Sequence, residues 1–144
     1  WTFESKIKEY IEKENLQENI NFSGWLATIG DVAKIYNQSR IFAMPSLNEG
    51  GPRVNLEAMA CGIPVITTRV GIMLDIIQDK ENALFIEWSA KDIADKTILL
   101  LKDNNLRKKI AENGYNTVRQ FERKKVIRNY AETYQNLLHS SWIQ

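Results

Sequence analysis

The chain predicts an α/β domain, a Rossmann-like parallel sheet wound by crossover helices, and three observations carry that expectation. Short apolar runs alternate four times with segments of helical period between Ile20 and Ile86. Turn residues stand at the joints, with Gly24, Pro45, Gly62 and Gly71 each closing or opening a run. From about Ser89 onward every pattern is helical, so the strands are confined to the first part of the chain.

Residues 4–14 read as an amphipathic helix with Ile7, Tyr10 and Ile11 at helical spacing. Ile20-Asn21-Phe22-Ser23 alternates as a strand does and stops at Gly24. Asp31 is the expected cap of a short helix carrying Val32, Ile35 and Tyr36. Ile41-Phe42-Ala43-Met44 is a continuous apolar run ended by Pro45, as a strand buried on both faces would be. A loop, Ser46 to Gly51, leads to Pro52, which suits a first helical turn because its missing N–H would be unpaired there anyway.

That helix closes at Gly62, and Ile63-Pro64-Val65-Ile66-Thr67-Thr68 forms the next strand, its proline at the beginning where it is tolerated. Gly71 opens another loop, Leu74, Ile76 and Ile77 mark a short helix, and Ala83-Leu84-Phe85-Ile86 is a further strand. Three helices follow, at 90–102, 105–118 and 123–138. No repeat or linker interrupts residues 1–144, which read as one domain. The opening Trp1 in place of Met reads as the start of a truncated piece.

Composition narrows the chemistry. A hydrophobic share of 44% with 26% charged residues is that of a globular domain, and no apolar run approaches a spanning helix. A single cysteine, Cys61, excludes an internal disulfide framework and fits a reducing, cytoplasmic compartment. A single histidine, His139, argues against a histidine-based metal site or a His-dependent triad. Residues 102–128 hold nine basic and three acidic side chains, a solvated helix face that also allows peripheral contact with the inner membrane face. Without aromatic interleaving, that run does not suggest nucleic acid.

Glu49-Gly50-Gly51-Pro52-Arg53-Val54-Asn55-Leu56-Glu57 is the stretch that suggests a site. Glu49 lies in a loop beyond a strand end, where open α/β sheets bind ligands, and Glu57 lies on the helix that follows. The two glycines permit close backbone approach, and the N–H groups of Arg53 and Val54 point from a helix N-terminus that favours an anion such as pyrophosphate. A carboxylate on either side accepts hydrogen bonds from paired hydroxyls. With Val54, Ala58 and Cys61 as the core stripe, Glu57 falls about 60° from Val54, on its margin, and Asn55 faces solvent. Spacing alone leaves Glu57 open between a ligand contact and an i, i+4 pair with Arg53. Glu49 is open between a ligand contact and a carboxylate placed in the helix dipole. Trp25 and Leu26 are either covering residues or stacking contacts, and Cys61 reads as a packed residue.

Pro45-Ser46, Glu49-Gly50, Leu56-Glu57-Ala58-Met59-Ala60, Gly62 and Pro64-Val65-Ile66, with Phe22-Ser23-Gly24-Trp25 upstream, resemble a known pattern. It is that of the nucleotide-sugar-binding, C-terminal half of a retaining GT-B fold glycosyltransferase, family 4 (glycosyl transferases group 1). The likeness runs from about residue 5 to the last helix. It implies that Glu49, the catalytic candidate, contacts hydroxyls of the donor sugar and that Glu57 contacts the ribose. It places the amides of Gly50, Gly51, Arg53 and Val54 against the sugar and phosphates.

The implied reaction moves a hexose from a nucleotide-sugar to a hydroxyl of an acceptor sugar, glycolipid or other molecule, with retention and with neither metal nor cofactor. The family's acceptor-binding N-terminal domain and its diphosphate-binding Lys and Arg lie upstream of this chain, and helix 123–138 is expected to pack toward that domain, with Tyr130, Tyr134 and Trp142 on it or just beyond. Gly71 is followed by Ile72-Met73-Leu74-Asp75, where the family carries a second glycine and then glutamate, and Ala83 replaces a frequent glycine. A binding module without turnover, a GT-B epimerase and a subunit with a decayed site are the alternatives.

Overall fold

The computed structural model describes residues 3–139. The chain falls into two compact units, Trp1–Val32 and Ala33–Gln144. The first holds helix α1 (Glu4–Lys13), a short 3-10 turn at Gln17–Asn19, and the first residues of α2 (Ile29–Gln38). On α1 Ile11 is buried, while Ile7 and Tyr10 stay in solvent, so the apolar stripe is narrower than its period suggests. The α2 cap is Thr28 rather than Asp31: the Thr28 hydroxyl accepts from the Asp31 amide at 3.1 Å and donates to the Asp31 carboxylate at 2.8 Å. Asp31 therefore occupies the third position of a capping box, where its charge meets the helix's positive end.

Residues 20–23 do not form a strand. Alternation is a local signal, but a strand exists only when another supplies its hydrogen bonds, and none pairs with this segment among the described residues.

The second unit is built on a parallel sheet in the order β1 (Phe42–Met44), β2 (Val65–Thr67), β3 (Leu84–Phe85). Phe42 is in register with Val65 and Met44 with Thr67, while Ile66 pairs with Leu84 and Thr67 with Phe85. Helix α3 (Arg53–Ala60) crosses from β1 to β2, and α4 (Met73–Ile76) lies between β2 and β3. Three longer helices complete the unit: α5 (Ala90–Lys102), α6 (Asn104–Val118) and α7 (Arg123–His139).

All three residues of β2 are buried, the pattern of a strand covered on both faces. That pattern was expected of β1, yet Ala43 is exposed and of its three residues only Met44 is buried. Ile66, Leu84, Ile86, Leu100 and Ile110 form the core between the sheet and α5 and α6. Ser89 caps α5 by accepting from the Asp92 amide, and Asp103 caps α6 by accepting from Leu106. Gly114 lets α6 pass close to α3: a Cβ there would stand 3.0 Å from the Asn82 carbonyl oxygen and 3.4 Å from Met59 Cγ.

Helix α3 buries a different stripe from the one its apolar residues suggest. Asn55, Ala58 and Met59 are fully buried, whereas Val54 is exposed and Cys61 only half-buried. Residues 55, 58 and 59 stand at i, i+3 and i+4, so helical geometry is kept and the sequence order of apolar side chains misleads. Pro52 precedes the helix as its N-cap rather than opening the first turn, and its carbonyl accepts from the Asn55 amide at 3.1 Å. Gly62, at φ +71°, ends the segment in the left-handed region as expected. Helix α7 buries none of its described residues, and Tyr130 and Tyr134 are exposed on it; Trp142 lies outside the described residues.

Candidate functional site: a glutamate loop before a helix N-terminus

The loop after β1 carries Glu49 to the mouth of α3, at the carboxyl end of the sheet. Its shape is held from three directions. The Ser46 hydroxyl donates to Glu49 Oε1 at 3.2 Å. The Thr68 hydroxyl, just past the end of β2, donates a short hydrogen bond to the Ser46 carbonyl. The Ile72 amide donates to the Gly50 carbonyl at 3.2 Å. Beside it Gly71 lies at φ +48°, and a Cβ there would stand 2.2 Å from the Gly50 oxygen and 2.3 Å from the Glu49 oxygen. The loop therefore rests on a place that only glycine can occupy without displacing it.

A second tether lies under the first turn of α3. Asn55 Nδ2 donates to Thr67 Oγ1 at 3.0 Å, and Thr67 donates on to the Thr68 carbonyl at 3.4 Å. Asn55 Oδ1 is buried with no donor to it among the described residues. Helix and loop are thus tied to the same strand end, at Thr67 and Thr68.

Glu49, Gly50, Gly51, Arg53, Val54 and Glu57 are all exposed. The N–H groups of Arg53 and Val54 belong to the first turn, where no intrahelical carbonyl is available. Glu57 does not pair with Arg53: among the described residues no ion pair joins them. Its neighbour is the phenol of Tyr36. The Tyr36 side chain is buried as a whole, and its part-buried hydroxyl donates to the Val54 carbonyl at 3.3 Å. Burial first, and then the negative charge of Glu57, push the phenol above its ordinary range, so it stays a neutral donor beside the carboxylate. Arg53 and Glu57 also line a groove of about 560 Å³ whose opposite wall includes Tyr115 and Arg119.

Tyr36, expected on a short helix with Val32 and Ile35, is buried and also holds the Val54 carbonyl, whereas Asn55, expected to face solvent, is buried against Thr67. The available signal for Asn55 was its i, i+3, i+4 relation to Ala58 and Met59. Asp75 does not join the Glu49 loop; it lines a hollow with Asn82, Asn113 and Thr117. Trp25 is 96% exposed, Cys61 is half-buried near the Tyr36 phenol, and His139 is exposed at the end of α7. Among the described residues no three His, Cys, Asp or Glu side chains gather as metal ligands would, and no helix is long and apolar enough to cross a membrane.

A parallel sheet with crossover helices and a helical C-terminal segment matches the Rossmann-like half of the GT-B fold. Solved structures agree. HepE of Anabaena, in complex with UDP, superposes with a TM-score of 0.84 over 92% of this chain and 36% of that one, at 22% identity, which bears on the fold alone. The C-terminal domain of a glycosyl transferase group 1 protein, LpcC of Francisella tularensis, is 35% identical with a TM-score of 0.76, covering 83% of this chain and 62% of that domain.

The family model for glycosyl transferases group 1 matches residues 1–117, and the chain belongs to that family. An uncharacterized glycosyltransferase of Methanocaldococcus jannaschii is 32% identical over 133 residues, 92% of this chain and 37% of that protein. The chain spans about a third of the length of the curated relatives it matches.

Proposed function

We propose that this chain is the donor-binding part of a retaining hexosyltransferase. The whole protein moves a hexose from a nucleoside diphosphate sugar to an acceptor hydroxyl, on a sugar, a glycolipid or another molecule, at the cytoplasmic side of the cell. The observation that carries the reading is the shared anchoring of the Glu49 loop and the α3 N-terminus at the end of β2. It holds the loop that carries Glu49 and the helix that carries Glu57 at one strand end, which supports an anion site at that helix N-terminus.

In this reading Glu49 accepts hydroxyls of the sugar being transferred, and Glu57 accepts the ribose hydroxyls, while the Tyr36 phenol holds the Val54 carbonyl in the first turn of the same helix. The amides of Gly50, Gly51, Arg53 and Val54 face the sugar and diphosphate. As the bond to the anomeric carbon breaks, charge develops on the leaving diphosphate. Preset N–H donors stabilise that charge without reorganising, a role a metal fills in other enzymes. The resemblance to glycosyl transferases group 1 supports a nucleoside diphosphate as leaving group. The family 4 assignment, retention and metal independence follow from the same resemblance. Helix α7, apolar on a face that nothing covers among the described residues, packs toward the acceptor-binding domain of the whole protein.

The test is to incubate the whole protein, with and without EDTA, with a panel of UDP- and GDP-sugars and sugar acceptors, and to determine the anomeric configuration of any product. Transfer with retention, unaffected by EDTA, is expected. Release of a free altered sugar without acceptor identifies an epimerase, and binding without turnover identifies a binding module.

A further inference from the structure

A second hollow lies at the same end of the sheet, and the glutamate loop forms only its rim. It encloses about 190 Å³ and takes lining groups from the end of each strand: Ser46 and Leu47 after β1, Arg69 after β2, Glu87 and Trp88 after β3. We infer that this hollow is a subsite for one pyranose ring, with Trp88 as its stacking face; the inference rests on the glycosyl-transfer reading above.

Trp88 is 63% exposed, and Leu47 across the hollow is exposed as well, so two large apolar side chains face solvent there. The tryptophan does not hang on a loose loop. The Glu87 amide donates to the Asp92 carboxylate at 2.8 Å, and the Ser89 amide donates to the Glu87 carbonyl at 2.8 Å. Together with the Ser89 cap on α5, these bonds fix the turn that presents the indole. An aromatic plane held in place before a ligand arrives loses little freedom on binding.

The polar groups have the complementary character. The Arg69 guanidinium is held 4.1 Å over the Phe85 ring, which orients its donors. Glu87 is exposed, and neither charge has an ion-pair partner among the described residues. A pyranose offers an apolar face of C–H bonds and a rim of hydroxyls, which match an indole plane flanked by a planar donor and a planar acceptor.

The ring can belong to the donor or to the acceptor, and one experiment separates them. The whole protein, and its Trp88→Ala, Trp88→Phe and Glu87→Gln variants, are titrated calorimetrically with UDP, with a panel of UDP- and GDP-sugars, and with methyl α-D-glucopyranoside under saturating UDP. If the donor ring sits there, Trp88→Ala weakens the nucleotide-sugar about tenfold and leaves UDP unchanged. If the acceptor ring sits there, only the methyl glycoside weakens. In either case Trp88→Phe retains most of the affinity, and Glu87→Gln lowers it for the same probe. Ring affinity unchanged within about twofold in Trp88→Ala, or no ring binding by a parent that binds UDP, overturns the subsite. A parent that binds neither nucleotide nor nucleotide-sugar overturns the transferase reading instead.

Discussion

Asn55 Nδ2 meets Thr67 Oγ1 at 3.0 Å inside a fully buried seam between α3 and the central strand. The pair sets the helix N-terminus at one height on the sheet. Thr68, the next residue, holds the glutamate loop through the Ser46 carbonyl. Asn55→Ala removes a buried side chain and one partner of the Thr67 hydroxyl, so denaturant unfolding should show a loss of about 2–3 kcal/mol. Asn55→Leu combined with Thr67→Val replaces both partners by apolar groups of similar shape and also removes the orphaned Oδ1. It should recover most of that loss. Equal losses in the single and double variants would contradict a coupled pair.

Gly71→Ala and Gly62→Ala separate backbone strain from collision. Both glycines have positive φ, at +48° and +71°, so alanine at either is expected to cost about 1–2 kcal/mol. Only at Gly71 does the added Cβ strike the Glu49–Gly50 backbone; at Gly62 nothing lies within 4 Å. Gly71→Ala should therefore lose more stability than Gly62→Ala, and in the whole protein it alone should abolish nucleotide-sugar binding. Similar behaviour of the two variants in thermal melts and titrations would remove Gly71 as support for the loop.

Tyr36 gives a pH signature. Its folded phenol is raised above the unfolded value of about 10, by burial first and Glu57 second. Below pH ~10 the group is protonated in both states and contributes no pH dependence. Above it the unfolded chain releases the proton while the folded one keeps it, so stability falls as pH climbs toward the folded value. Tyr36→Phe should flatten that fall, and Glu57→Gln should lower the phenol's folded value, read by ultraviolet titration against the exposed tyrosines. A Tyr36 that titrates with the exposed group, or is indifferent to Glu57→Gln, contradicts the proximity.

Helix α7 leaves Ile127, Tyr130, Tyr134, Leu137 and Leu138 more than half exposed, a face that in water favours association. The isolated chain should self-associate with rising concentration in sedimentation equilibrium, and Tyr130→Glu with Tyr134→Glu should return it to a monomer. A monomer at all concentrations would mean that this face does not seek a partner.

What the sequence made legible divides along local and non-local lines. Helices α5, α6 and α7 fall within about a residue of the expected spans, because helical period acts within a few residues of chain. The Glu49 loop was legible for the same reason: Pro45, the glycines and Pro52 punctuate a single short stretch. The segment at 20–23 was misread because strand formation depends on a partner elsewhere. The α3 stripe was misread because Asn55 is polar by type, and its burial depends on Thr67 across the seam. The support of Gly71 for Gly50, and of Tyr36 for Val54, join elements that no sequence window contains together.

The most direct test of the central claim compares Glu49→Ala and Glu57→Ala in the whole protein, titrated with UDP and assayed for sugar transfer. If Glu57 holds the ribose and Glu49 the transferred sugar, Glu57→Ala weakens UDP about tenfold or more, the loss of a carboxylate hydrogen bond. Glu49→Ala leaves UDP affinity within about twofold and lowers transfer by orders of magnitude. UDP affinity unaffected by Glu57→Ala, or transfer surviving Glu49→Ala, would contradict the division of labour between the two carboxylates.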